Sequence, residues 1–103
     1  MKVYDIYLPL RYNDDREIEP SKFDQTRKEL IDRFGGLSVL PSQGATIEGW
    51  WRFKEEIVRD EIRIFRVFTG SEDDDFWKKY KTILKDRFQQ EEIFILSYDV
   101  SII

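Results

Sequence analysis

Hydrophobic and polar positions along the chain predict a central strand with partners on both sides. In residues 57–70 (IVRDEIRIFRVFTG), Ile, Val and Phe occupy both alternating sets of positions. A segment that is apolar on both sides is typical of a strand in the middle of a sheet, covered above and below. We therefore expect the rest of the chain to pack around residues 57–70.

Two helices are predicted, one on each side of this strand in the sequence. The first begins near Ser21, an expected N-cap, and ends at Gly35, which suits a left-handed residue after a helix. The second follows Ser71, another expected cap, with acidic residues in its first turn and basic residues later, as the helix dipole favours. Helical spacing predicts these buried positions: Phe23, Leu30, Ile31 and Phe34 in the first helix, and Phe76, Tyr80, Ile83, Leu84 and Phe88 in the second.

The remaining apolar segments alternate and predict strands at residues 3–10, 37–53 and 93–103. Residues 41–44 (PSQG) are expected to form a turn or bulge inside the second of these, and Gly49 marks a bulge or room for a close neighbour. The order is strand, helix, strand, strand, helix, strand. It predicts a single α+β domain over residues 1–103, a ferredoxin-like βαββαβ sandwich in which two helices cover one face of an antiparallel sheet.

Two helices cover only one face of such a sheet, so the other face is expected to be open. Arg66 should lie there, because an unpaired charge under the helices would be costly. Alternation then places Ile62, Ile64 and Phe68 on the same face. The same rule adds residues from the other strands: Val3, Asp5, Tyr7, Trp50, Ile93, Ile95, Ser97 and Asp99.

An open face with so many apolar side chains predicts a partner surface. The simplest partner is a second copy, so we expect a homodimer through this face. A sharper interpretation is a small-molecule pocket lined by Trp50, Tyr7 and Phe68. Arg66 allows two interpretations: an ion pair with Asp5 or Asp99, or an anchor for a small acidic ligand.

Composition excludes several kinds of chemistry. The chain has 103 residues, a net charge of −4, no cysteine and no histidine. Disulfides and thiolate metal sites are therefore absent, and the commonest general base and metal ligand is missing. We expect no metal and no cofactor. The acidic balance disfavours nucleic-acid binding, which usually needs a basic surface.

The N-terminal segment predicts a cytoplasmic protein. The first ten residues (MKVYDIYLPL) lack the order of a signal peptide, and no apolar run reaches the ~18 residues of a membrane span.

The steps Phe34-Gly35-Gly36-Leu37, then Pro41, Gly44 and Trp50, then Asp60-Glu61 resemble a pattern in a family of small bacterial proteins without an established activity. The overall plan is also similar to the dimeric α+β barrel proteins, some of which are cofactor-free oxygenases or stress-induced proteins. That resemblance implies a fold, and a fold alone does not imply an activity.

Three functions follow as hypotheses. The first is a homodimeric interaction or regulatory module with a small-molecule pocket at the sheet face. The second is a cofactor-free enzyme of the α+β barrel type that uses carboxylates near the predicted hairpin, and its candidates are Glu48, Glu55, Glu56, Asp60 and Glu61. The absence of histidine, cysteine and any catalytic motif makes an enzyme the less favoured choice. The third, ranked last, is single-stranded RNA binding on the sheet.

Overall fold

The computed structural model describes residues 1–42 and 45–103. Its elements, in chain order, are β1 (Lys2–Pro9), α1 (Pro20–Phe34), β2 (Ser38–Leu40), β3 (Ile47–Phe53), β4 (Glu56–Thr69), α2 (Asp74–Arg87) and β5 (Ile95–Asp99). Gln43 and Gly44, half of the turn predicted at 41–44, lie outside the described residues.

The sheet is antiparallel and is organised around β4. One edge of β4 pairs with β1, from Thr69 opposite Lys2 to Ile62 opposite Pro9. Its other edge pairs first with β2 and then with β3, and β5 pairs with the far side of β1. The first and third predicted strands are therefore central, which confirms the ferredoxin-like α+β prediction.

Both helices pack on one face of the sheet and close a single hydrophobic core. Its buried members are Tyr4, Ile6, Leu8, Tyr12, Ile18, Phe23, Leu30, Phe65, Val67, Trp77, Tyr80, Leu84, Phe88 and Ile93. Trp77 stacks on Tyr4, with ring centroids 4.3 Å apart, and on Phe34 at 5.5 Å. Two predicted core positions were wrong: Ile31 and Ile83 are exposed, because the buried faces run through Thr26 and Trp77 instead.

The helix ends agree only in part with the sequence. Gly35 has a φ of 85°, and its N–H donates to the carbonyl of Ile31 at 2.8 Å, which confirms the left-handed end. The two predicted serine caps were wrong. Helix α1 starts with Pro20 in its first turn and has no side-chain cap, while Asp73 caps α2 by accepting from the N–H of Phe76 at 3.0 Å.

A partly buried polar network joins the two helices. Arg87 donates to both carboxylate oxygens of Glu29, at 2.7 and 2.9 Å, and the Tyr80 hydroxyl donates to Glu29 at 3.0 Å. Arg87 also donates to the hydroxyl of Thr26 at 2.8 Å. These bonds, chiefly those from Arg87, hold the pKa of Glu29 below its usual 4.5.

Replacing Glu29 with glutamine is expected to flatten the dependence of stability on pH in acid. A carboxyl group whose pKa is lower in the folded than in the unfolded state stabilises the fold above its unfolded pKa, here about 4.5. That contribution disappears as pH falls through the folded pKa. Urea unfolding at several pH values below 4.5 should therefore show a smaller acid loss in Glu29→Gln than in the parent. A Glu91→Gln control, which removes an exposed loop carboxylate, should keep the parental slope.

Candidate functional site

The face of the sheet that faces away from the helices is the candidate site. The register places Asp5 opposite Arg66 and Tyr7 opposite Ile64, so these side chains share one face with Phe68. This is the face expected for four of the five candidate residues. Several of its apolar side chains are exposed, including Phe68 at 46% and Leu96 at 47%.

Trp50, the fifth candidate, projects from the other side of the sheet. Trp50 lies opposite Arg59 of β4. Arg59 and Arg66 are an odd number of positions apart on one strand, so their side chains, and with Arg59 that of Trp50, project from opposite faces. Its indole N–H donates to Glu48 at 3.3 Å, and Arg59 also donates to Glu48. The face prediction for Trp50 was wrong because β2 and β3 are separate strands, so alternation cannot be carried across the break. Trp51, paired with Val58, takes the open-face position.

The faces of β5 were also assigned in the wrong order. Ile6 lies opposite Ile95 and Asp5 opposite Leu96, so Leu96 shares the open face with Asp5 while Ile95 packs against the core. By the same alternation, Ile93, Ser97 and Asp99 lie on the helix side, and Phe94 and Tyr98 lie on the open face. The open face of this edge is therefore more aromatic than expected.

At the centre of the open face, Arg66 and Asp5 form a two-bond ion pair. The Arg66 Nε donates to Asp5 at 2.8 Å and its Nη2 donates to the second carboxylate oxygen at 3.1 Å. The Tyr98 hydroxyl donates to Asp5 at 3.0 Å. Asp5 is 5% exposed, so the structure favours the ion-pair interpretation of Arg66: a small acidic ligand would have to compete with a buried carboxylate already in place.

A groove of about 790 Å³ lies beside this ion pair, between the β3–β4 hairpin and the segment that precedes β5. Its apolar wall includes Tyr7, Trp51, Phe53, Ile62 and Phe94, and its polar rim includes Asn13, Asp60, Gln90, Glu91 and Glu92. Of the five candidate residues, Tyr7 and Trp50 border this groove, while Asp5, Arg66 and Phe68 lie outside it.

Trp51 and Phe94 are two aromatic groove residues that lie outside the candidate set predicted from the sequence. Their rings pack in a tilted arrangement with centroids 5.6 Å apart, and so join the hairpin to the start of β5. One signal was available: Gly49 and Trp51 are two residues apart, on the same side of β3. A glycine beside an indole on one strand face leaves space for the ring to lie flat.

The space at Gly49 is filled by that indole. A β-carbon added to Gly49 would come within 2.7 Å of the Trp51 Cζ2 atom, which confirms that this glycine leaves room for a close neighbour. We expect Gly49→Ala to push the Trp51 ring out of the groove. The indole N–H resonance of Trp51 in a ¹H–¹⁵N spectrum should shift, and that of Trp77 should stay. Gly70→Ala, where an added methyl group meets no described atom within 4 Å, is the matched control. An unchanged Trp51 resonance would show that the ring has space elsewhere.

The carboxylates proposed for catalysis are spread along the hairpin. Glu48 accepts from Arg59 and from Trp50, and these bonds, the one from Arg59 first, keep its pKa below the usual 4.5. A carboxyl group that stays ionised in this way is poorly suited to act as a general acid near neutral pH. Asp60 is the one hairpin carboxylate of the predicted set that lines the groove.

Within residues 1–42 and 45–103, no group of three or more acidic, histidine or cysteine side chains is arranged to hold a metal ion. No helix of the same residues combines the length and the apolar character that crossing a membrane requires.

The sequence matches neither a protein-family model nor a curated protein. Solved structures do match the fold. A divalent cation tolerance protein, CutA1, from Thermus thermophilus has a TM-score of 0.65 at 16% identity, with 98% of this chain and 85% of that chain covered. A phage SAM lyase in complex with S-methyl-5′-thioadenosine has a TM-score of 0.64 at 15% identity, covering 95% and 80%. A PII-like protein CutA from Nostoc sp. PCC 7120 has a TM-score of 0.57 at 12% identity, covering 97% and 81%. At these identities the likeness shows the fold alone.

Proposed function

We propose that this protein is a self-associating binding module in which copies of the chain cover each other's open sheet face. The observation that carries the proposal is the exposed apolar surface of that face in the single chain. Phe68, Phe94, Leu96 and Tyr98 are all exposed there. Contiguous apolar surface of this kind usually marks an interface. A homodimer is the simplest closed assembly.

The size of the face suits a second copy. With ~3.4 Å per residue and ~4.8 Å between strands, the paired strands and the hairpin present on the order of 700 Å². A standard interface buries ~800 Å² per partner. The central charges are already neutralised, because Asp5 and Arg66 pair within one chain. Two such faces can therefore meet without bringing an unpaired central charge together.

Within this assembly we propose that the groove beside Trp51 is a small-molecule pocket roofed by the neighbouring copy. Its aromatic wall favours a flat ring system, which can stack on Trp51 or Phe94. Its rim carries Asp60, Glu91 and Glu92, of which Glu92 is paired with Lys81 at 2.8 Å, and one lining cation, Arg52. The remaining acidic excess favours a neutral or cationic ligand over an acidic one. The proposed ligand thus differs in charge from the acidic ligand expected beside Arg66.

Gel filtration with light scattering tests the assembly at micromolar concentration. A dimer, or a larger closed ring, supports the proposal, and a stable monomer overturns it.

For the pocket, S-methyl-5′-thioadenosine is a suitable first probe, since it is a flat heterocycle on a neutral sugar that one structure of this fold holds. Titration should shift the Trp51 indole resonance saturably and leave that of Trp77 unchanged. A panel of flat neutral and cationic compounds, none of which shifts it, would refute the pocket but not the assembly.

A further inference from the structure

A second groove, of about 650 Å³, lies on the helix side of the sheet. It is formed by the loop between β1 and α1, the N-terminal half of α1, and the strands β2 and β4. Leu10, Ile18, Phe23 and Val39 supply its apolar surface, and three arginines, Arg11, Arg27 and Arg63, line it. The sheet separates this groove from the open face, so it is independent of the proposed interface.

Arg63 is the unusual member of this set. It pairs with Leu8, a fully buried core residue, and therefore points to the helix side. Its Nε is buried and has no hydrogen-bond partner among the described residues. The ion pairs found among residues 1–42 and 45–103 do not include Arg63 either. Buried polar groups are nearly always hydrogen-bonded, so an orphaned guanidinium nitrogen needs an explanation.

The acidic residues that line the groove lie within 4.0 Å of other arginines and not of Arg63. Asp24 pairs with Arg27, one turn along α1. Glu61 pairs with Arg59 at 3.5 Å, and Glu17 lies 4.0 Å from Arg11. Arg63 therefore has no carboxylate within 4.0 Å in the described part of the chain.

We propose that this groove binds a small organic oxyanion, with a carboxylate or phosphate group on Arg63 and an apolar body against Leu10, Ile18 and Phe23. A guanidinium presents several N–H donors in a planar fork, which matches both kinds of oxyanion. The outer Nη nitrogens of Arg63, which have no partner among the described residues and are not buried as its Nε is, are the donors that such an anion would meet. The neighbouring apolar side chains favour a ligand with a short hydrocarbon portion over a bare inorganic ion.

Titration of the ¹⁵N-labelled protein at constant ionic strength tests the proposal, with inorganic phosphate, acetate and hexanoate as separate probes. The Arg63 Nε–H resonance should shift saturably with hexanoate or with phosphate, and hexanoate should bind more tightly than acetate. Saturation by hexanoate alone identifies a carboxylate ligand, and saturation by phosphate alone identifies a phosphate ligand. Chloride at the same ionic strength should have no such effect.

Arg63→Gln should weaken the binding at least about tenfold, the effect of losing hydrogen bonds to a charged group. Arg33→Gln, near the C-terminal end of α1 and outside the groove, should leave it unchanged. Arg63→Lys keeps the charge and loses the fork, so an intermediate loss is expected, and this variant serves if Arg63→Gln does not fold. The proposal is overturned if none of the probes gives a saturable shift, or if both Arg63 variants bind like the parent.

Discussion

Replacing Leu96 with aspartate is expected to turn the assembled protein into monomers. Leu96 is 47% exposed on the open face of a single chain, so an aspartate there stays solvated in the monomer and places a charge in the proposed interface. It lies opposite Asp5, whose charge Arg66 already neutralises, so the fold should be kept. Each copy loses roughly 1–2 kcal/mol of apolar burial and must also desolvate a carboxylate. Because a symmetric interface contains the substitution twice, the dissociation constant should rise at least about 100-fold. Light scattering over a range of concentrations measures this change.

Ile83 provides a matched control. It is also 47% exposed, but it lies on α2, on the helix side of the molecule. Ile83→Asp should keep the parental mass, and circular dichroism should show both variants folded. Equal dissociation by the two variants, or none by Leu96→Asp, would contradict the assignment of the interface to the open sheet face.

The plan of the fold could be predicted because its strongest signals are local and mutually consistent. The double-sided pattern of residues 57–70 requires a central strand, and β4 occupies that place. Gly35 marks the end of α1 because only a residue tolerant of positive φ fits there. Each helix presents enough apolar positions to identify one buried face, although Ile31 and Ile83 fall just outside it.

The facing of individual side chains was harder to predict where both alternating sets are apolar. In β5, Ile95 and Leu96 suit either face, and pairing with β1 decides between them. In β3, Trp50 and Trp51 are adjacent, and pairing with β4 decides. Which of two adjacent apolar residues faces the core depends on the register between strands that are distant in sequence. The alternation within one strand does not determine that register.

Arg63 could have been found by extending the argument used for Arg66. The two residues are three positions apart on one strand, so their side chains must project from opposite faces. Placing Arg66 on the open face therefore places Arg63 on the helix side. A charge at such a position needs a partner, and that requirement is the sequence signal for the second groove.

Replacing Asp5 with alanine is expected to lower the free energy of unfolding substantially, because Asp5 is a buried member of an ion pair. Asp5 is buried, and it accepts from both Arg66 and Tyr98. Removing one member of a buried ion pair typically costs ~3–5 kcal/mol, since the remaining charge is left unpaired. The Arg66 side chain is 32% exposed and can regain some solvation, so about 2–3 kcal/mol is expected here. Urea unfolding of parent and variant at the same series of protein concentrations separates this loss from any contribution of assembly.

Asp14→Ala is the control for this comparison, because it breaks an exposed aspartate–arginine ion pair. Asp14 accepts from Arg16 at 2.6 Å, and both side chains are more than half exposed. Exposed pairs contribute at most ~1 kcal/mol, so this variant should unfold close to the parent. Asp5→Asn, which retains one acceptor oxygen, should fall between the two. The Tyr98 hydroxyl adds a second measurement: burial and then its bond to Asp5 raise its pKa above the usual 10.0, and part of that rise should vanish in Asp5→Ala. If Asp5→Ala costs no more than Asp14→Ala, the buried pair does not hold the centre of the open face together.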